Sequence, residues 1–290
     1  MTVGASTQIT DLAMNDHACL TYGELEELFD LTAAFVRDGL SGGLKVLWLS
    51  DGPPGQALAE LARRGVDVTS ATATGQLAAA GCEGRLLSGQ AFAADHAMGW
   101  LGGQMAACRS EGFPGLRVAV DMGWALRPLT GIEQLPDFEA GIATSLAGGT
   151  VSVLCQYDRE GFDPVTLASV AAYHTRSVAA ATYHADAVLR ICRQYAPPGI
   201  RLAGEIDYQA AEPLALALAE AIRLDGDLTI NMSHLIFIDA PCTRMIVDAA
   251  RSLARSRQVR LVGPAVVSRR FASYGVGDRP GIDLVTVDER

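Results

Sequence analysis

The chain has 290 residues, of which 49% are hydrophobic and 19% charged, a composition that builds real cores and excludes a disordered protein. No stretch approaches the roughly 18 uninterrupted apolar residues of a spanning helix, so no membrane role is expected. The net charge of −10 is uneven: residues 1–189 hold 10 basic and 21 acidic groups, residues 190–290 hold 13 and 12, a balance that excludes a nucleic-acid-binding face in the front half and gives little support for one behind it.

The first twenty residues, MTVGASTQITDLAMNDHACL, show no basic segment followed by an apolar one, and no secretory signal is expected. Residues 22–39 place Leu25, Leu28, Leu31, Phe35 and Val36 at helical spacing, and the glycines at 39, 42 and 43 end that helix. KVLWLSD (45–51) reads as a buried strand, GPPG (52–55) as a turn and QALAELARRG (56–65) as a helix, with a short strand expected at Val66–Val68. Helices are then expected over 91–112, about 133–147 and 164–175, with strands at 116–121 and 151–158 between them. Apolar strands alternating with helices imply a mostly parallel sheet covered on both faces. Ligands of such sheets bind beyond the carboxyl ends of the strands, where Asp51, Asp121 and Asp158 fall.

Residues 181–199 read as a helical connector, begun near residue 177 and closed by a linker at Tyr195-Ala196-Pro197-Pro198-Gly199, because Pro-Pro-Gly cannot continue a helix. A second α/β unit follows: a strand from Ile200, a helix over 212–224, a strand over 227–240, a long helix over 240–257, a strand over 258–263, a helix over 265–275 and a last strand over 282–288. The basic stretch 251–260 and the pair Arg269 and Arg270 read as solvated helix faces.

The six cysteines, at 19, 82, 108, 155, 192 and 242, form no CxxC pair and match no disulfide framework. Reduced thiols in a cytoplasmic protein are expected. His17, Cys19, Cys155 and His174 are residue types that hold zinc when they converge, but their spacing matches no metal module, and no metal or cofactor is expected. The turn Asp51-Gly52-Pro53-Pro54-Gly55-Gln56 stands where a phosphate-binding loop would stand. It lacks the Lys and Ser/Thr that reach phosphate and magnesium, and its two prolines remove amide donors.

The second half resembles the STAS family, on Gly204-Glu205-Ile206-Asp207, Ser233-His234-Leu235-Ile236-Phe237-Ile238-Asp239 and VRLVGPAVVSRRFASYGV (259–276). The resemblance is to anti-sigma-factor antagonists. It implies binding to an anti-sigma factor of the histidine-kinase-like ATPase type, through a switch region at Asp207, Asp239, Ala240, Pro241, Cys242 and Thr243. In that family a phosphorylated serine follows the turn aspartate; here Ala240 occupies the position and has no hydroxyl. Thr243 lies one turn on. Cys242 sits near a helix N-terminus, which can lower a thiol pKa, although a small packing residue is the preferred reading.

The first half resembles the MEDS family, a sensor domain of methanogens and of a dichloromethane-responsive regulator. The resemblance rests on residues 17–22 (HACLTY), 46–51 (VLWLSD), 116–124 (LRVAVDMGW), Glu139, 153–158 (VLCQYD) and His174. It implies a degenerate RecA/KaiC-like fold, with a pocket for a small apolar or hydrocarbon-derived ligand drawn from His17, Cys19, Tyr22, Asp51, Asp121, Trp124, Cys155, Tyr157 and His174. The aromatic residues would supply apolar walls with polar tips, and His17 would orient the ligand or respond to pH. The expected architecture is therefore an α/β sensor domain over 1–180, the connector over 181–199 and a STAS α/β domain over 200–290. The expected function is non-catalytic signalling. The alternatives are a degenerate RecA-like protein that binds or hydrolyses nucleotide, and a scaffold in a stress-signalling complex.

Overall fold

Strands that are apolar along their whole length need cover on both faces, and the helices of the first half supply it. The computed structural model describes residues 7–254 and 256–287. Arg255 and Asp288, within the expected long helix and last strand, lie outside the described residues. The chain divides into two units, Met1–Ala179 and Ala180–Arg290.

The first unit runs β1 (His17–Tyr22), α1 (Leu25–Ser41), β2 (Lys45–Ser50), α2 (Pro54–Arg63), α3 (Val68–Ala73), β3 (Leu77–Gly81), the short antiparallel pair β4 (Leu87–Ser88) and β5 (Ala91–Phe92), α4 (Ala94–Ser110), β6 (Leu116–Asp121), α5 (Leu135–Ser145), β7 (Val151–Asp158), α6 (Pro164–Ala171) and β8 (Arg176–Val178). Six of these strands form one parallel sheet in the order β3-β2-β6-β7-β1-β8. This is the helix-covered parallel sheet expected from the alternation of apolar strands and helices. Two details differ. Val66–Val68 is not a strand: Asp67 caps α3 by accepting from the Ser70 amide, and an N-cap aspartate outweighs two β-branched neighbours. The edge strand lies instead at Leu77–Gly81, where small residues hide the strand signal.

The second unit runs β9 (Thr182–Ala185), β10 (Leu189–Tyr195), β11 (Pro198–Ile206), α7 (Ala211–Leu224), β12 (Leu228–Ile238), α8 (Ala240–Leu253), β13 (Val259–Pro264), α9 (Ala265–Ala272) and β14 (Ile282–Val287). Its mixed sheet has the order β14-β13-β12-β11-β10-β9, parallel from β11 to β14 and antiparallel from β11 to β9. Ile200, Leu202, Ile230, Ile246, Val247 and Phe271 fill its core.

The expected helical connector over 181–199 is corrected here: the segment holds β9 and β10 and no helix. Asp186 turns the chain between them by accepting from the amides of Val188 and Leu189, a local bond that competes with helix. The Pro-Pro-Gly step is not a linker between domains. It turns the β10–β11 hairpin, in which Tyr195 stands opposite Pro198.

Gly204 has φ +97°, and a Cβ there would lie 2.0 Å from the Val188 carbonyl oxygen. The β11–β12 register shifts between it and Glu205, the irregularity that a glycine makes possible. Gly204→Ala is expected to destabilise the second unit by about 1–3 kcal/mol, read as a lower denaturant midpoint for that unit's transition. An unchanged midpoint would show that the backbone relaxes without cost.

Candidate functional site

Adjacent parallel strands point paired residues to the same face. The β1–β7 register sets Cys19 beside Cys155 and Thr21 beside Tyr157, with His17 two residues before Cys19. His17, Cys19, Cys155 and Tyr157 therefore share one face of the sheet. Helix α5 presents Leu135, Phe138, Glu139 and Ile142 as its buried residues. Glu139 is thus an acid on an otherwise apolar helical face, with no exposure at all. His174 comes from the segment between α6 and β8, which is tied to β1 by Thr175: its amide and hydroxyl donate to the His17 carbonyl, and its hydroxyl accepts from the His17 amide.

These elements converge on one carboxylate. Glu139 Oε2 lies 3.0 Å from His17 Nε2 and 3.4 Å from His174 Nε2, and the Cys155 thiol donates to it at 3.6 Å. The Tyr157 hydroxyl donates to Oε1. Cys155 Sγ is also 3.5 Å from His17 Nε2, and the two imidazole rings stack with centroids 4.0 Å apart. Burial pushes the Glu139 carboxyl up, but the hydrogen bond from His17, the attraction of either histidine when protonated and the Tyr157 hydroxyl together hold it below the usual range. Burial holds the His174 ring neutral, lowering its pKa to about 4 against the pull of Glu139. Burial and the Glu139 charge raise the Cys155 thiol and the Tyr157 phenol, and take Cys19 to about 12. Four potential metal donors, from His17, Glu139, Cys155 and His174, lie within 4.8 Å of one another.

Of the nine residues expected in one pocket, His17, Cys155, Tyr157 and His174 meet here, with Cys19 beside Cys155. Tyr22, Asp51 and Asp121 belong to a second cluster at the strand ends. There Asp121 accepts from the amides of Asp51 and Gly123, and burial raises its pKa. Burial, then the charges of Asp121, Asp158 and Asp51, push up the Tyr22 phenol, and Arg127 pairs with Asp51. Trp124 makes no hydrogen bond to either cluster; it is fully buried and packs on Phe92 at 4.7 Å between centroids. An open cavity of about 430 Å³, lined by Glu83, Gly89, Gln90, Arg127, Pro128 and Leu129, contains none of the nine. The residue that sequence reasoning left out of the site is Glu139. The signal was the helical spacing that puts Glu139, unlike Asp137, on the same face as Leu135 and Ile142.

In the second unit the switch residues gather where β11 and β12 end. Asp239 is the N-cap of α8 and accepts from the Cys242 amide at 2.8 Å. The Cys242 thiol donates to the Asp207 carbonyl at 3.1 Å. Thr243 is fully buried, and its hydroxyl donates to the Asp239 carbonyl at 2.5 Å, so it offers no accessible phosphoacceptor and no direct partner contact. Cys242 is buried too. Desolvation, then the hydrogen bond and charge of Asp239, raise its pKa to about 12, so the thiol pKa rises rather than falls at this helix N-terminus. Ala240 and Pro241 are exposed.

Comparison with known families divides the chain in the same two places. The family model described as MEDS, the MEthanogen/methylotroph, DcmR Sensory domain, matches residues 16–175. A second, described as Mlab, STAS domain, matches residues 189–286. No match is found among curated proteins. Among solved structures, a KaiC-like protein from the hyperthermophilic archaeon Pyrococcus horikoshii is similar over 62% of this chain and 79% of its own, at 14% identity and a TM-score of 0.47.

All six cysteines are free and buried. Iodoacetamide at pH 8 is therefore expected to leave them unmodified in the folded protein and to label all six after denaturation, counted by mass spectrometry. Rapid native labelling of Cys242 would instead establish a reactive thiol at the start of α8.

Proposed function

The chain belongs to the MEDS family of sensory domains, and from this and the STAS match that follows we propose a non-catalytic cytoplasmic regulator in which the front unit senses a small molecule and the rear unit binds an anti-sigma factor of the histidine-kinase-like ATPase type. The observation that carries this reading is the start of α8. Ala240 has no hydroxyl, Thr243 is sealed in the core and Cys242 is bonded to Asp207. Yet the same end of the sheet keeps Ile236, Phe237 and Tyr208 exposed, at 70%, 45% and 66%. An apolar surface without a phosphoacceptor suits a module that docks a partner and takes its control from elsewhere. Three residues, 179–181, separate β8 of the first sheet from β9 of the second, which gives the front unit a short covalent route to the rear one.

The cue is a small apolar or hydrocarbon-derived ligand. Its reception in the first unit suits the aromatic surroundings of the sheet face, where Phe138, Trp124 and Phe162 pack in the same core. The non-catalytic reading is supported at the turn before α2. Pro53 is the N-cap and Pro54 opens the helix, so two amide donors are missing. The Asp51 and Asp121 carboxylates adjoin the turn and would repel phosphate. Coupling requires the cue to favour one state of the rear unit over another.

Purified protein is expected to capture such an ATPase from the native host, and Phe237→Asp to lose most of that capture. Incubated with the captured kinase and ATP, the wild-type chain should gain no phosphate, whereas Ala240→Ser should. Failure of the wild type to retain this partner, or phosphorylation of the wild type within 240–243, would overturn the reading.

A further inference from the structure

We infer that His17, Glu139, Cys155 and His174 form a binding site for one divalent transition-metal ion of the zinc class. The inference deepens the sensory reading of the first unit and is independent of the rear unit's partner.

Three observations carry it. The first is the histidine tautomers. His174 Nδ1 is 2.8 Å from the Val170 carbonyl oxygen, and His17 Nδ1 is 3.2 Å from that of Tyr173. A carbonyl only accepts, so each Nδ1 carries the proton. Each Nε2 then turns a lone pair toward Glu139 Oε2 when its ring is neutral. One proton can be shared between His17 and Glu139. The His174 Nε2 is left without a hydrogen-bond partner although its side chain is fully buried. With the Cys155 thiol donating to Glu139 and one proton shared between His17 and Glu139, the His174 Nε2 is the acceptor left over, a costly arrangement in water-free surroundings. A cation between these groups satisfies His17 Nε2, His174 Nε2 and Glu139 Oε2 together. Histidine with Nδ1–H held by a backbone carbonyl and Nε2 aimed inward is also the orientation that second-shell bonding gives to metal ligands.

The second observation is the spacing. Tetrahedral zinc with N or O ligands near 2.0–2.1 Å and a thiolate near 2.3 Å separates its ligand atoms by about 3.4 Å, and by about 3.5 Å where sulfur is one of them. The separations here are 3.0 Å for His17–Glu139, 3.4 Å for His174–Glu139, 3.5 Å for Cys155–His17 and 3.6 Å for Cys155–Glu139. The two remaining pairs, His17–His174 and Cys155–His174, lie within 4.8 Å, and a bound ion would draw all four donors to the roughly 3.4–3.5 Å separations of a tetrahedral shell. The third is the chemistry of the donors. Two imidazoles, one carboxylate and one thiol form a borderline set that suits zinc, cobalt or iron and is a poor match to calcium or magnesium, which take oxygen.

Binding converts the Cys155 thiol to thiolate, and the displaced protons, that of the thiol and the one shared by His17 and Glu139, leave to solvent. No electron is transferred. With every donor buried, the ion would exchange slowly and resist chelators.

The test uses the full chain, stripped by unfolding in chelator and refolded with Co²⁺ or Zn²⁺. One equivalent of cobalt per chain is expected, with tetrahedral d–d absorption and a thiolate-to-cobalt charge-transfer band. Cys155→Ser should keep the d–d absorption and lose the charge-transfer band. His174→Ala should weaken cobalt binding by more than the roughly 10–100-fold that loss of a second-shell partner costs. Cys108→Ser, distant in sequence and outside the cluster, should change neither. Absence of stoichiometric cobalt in the refolded wild type, or a charge-transfer band that survives Cys155→Ser, would overturn the site. Where Cys155→Ser does not fold, X-ray absorption of the zinc-loaded wild type decides: one sulfur near 2.3 Å with N/O ligands near 2.0–2.1 Å is expected, and a shell without sulfur is contrary.

Discussion

A carboxylate with no contact to water is stable only where neighbouring groups replace the water it has lost. Glu139 meets that condition through residues from three further parts of the chain: His17 on β1, Cys155 and Tyr157 on β7, and His174 before β8. Each of these elements is placed by ordinary core formation. The polar groups at their meeting point are what core formation alone would not select, since apolar side chains of similar volume would pack there at lower cost. Five ionisable groups kept together at that cost mark the centre of the sensory unit.

The two units show different ways of placing chemistry on a sheet. In the first, polar residues sit in the middle of the sheet face, enclosed by α5 and the segment after α6. In the second, they sit at the strand ends, where Asp207 and Asp239 cap local turns and leave the adjoining surface open. Burial suits a site whose occupancy is felt by its own framework, and exposure suits one that meets a partner. His174 lies eight residues before the first strand of the rear sheet.

Much of this was legible in the sequence. The apolar runs at 46–49 and 118–120 and the periodic helix at 25–36 gave the parallel sheet and its cover, because strands buried on both faces carry no alternation to misread. His17, Cys155, Tyr157 and His174 were recognised as chemistry-bearing, yet grouped with Trp124 and Asp51, since residue type does not tell which strand face a side chain takes until the register is known. Glu139 is hard to single out as a site residue because LPDFEAGI carries two acids, Asp137 and Glu139, and reads as solvated helix; only Leu135, Phe138 and Ile142 mark the face of Glu139 as buried. The connector was misread because Arg190 and Arg193 break the alternation of β10. Arg193 is in fact buried against Asp225, a long-range pairing that no local pattern predicts.

The most direct measurement is anomalous diffraction from crystals of the zinc-loaded protein, collected on both sides of the zinc edge. The account predicts one strong peak among His17 Nε2, His174 Nε2, Glu139 Oε2 and Cys155 Sγ, about 2.0–2.3 Å from each. A peak elsewhere on the chain, or none at this point while the two histidines and Glu139 keep the arrangement described, would contradict it.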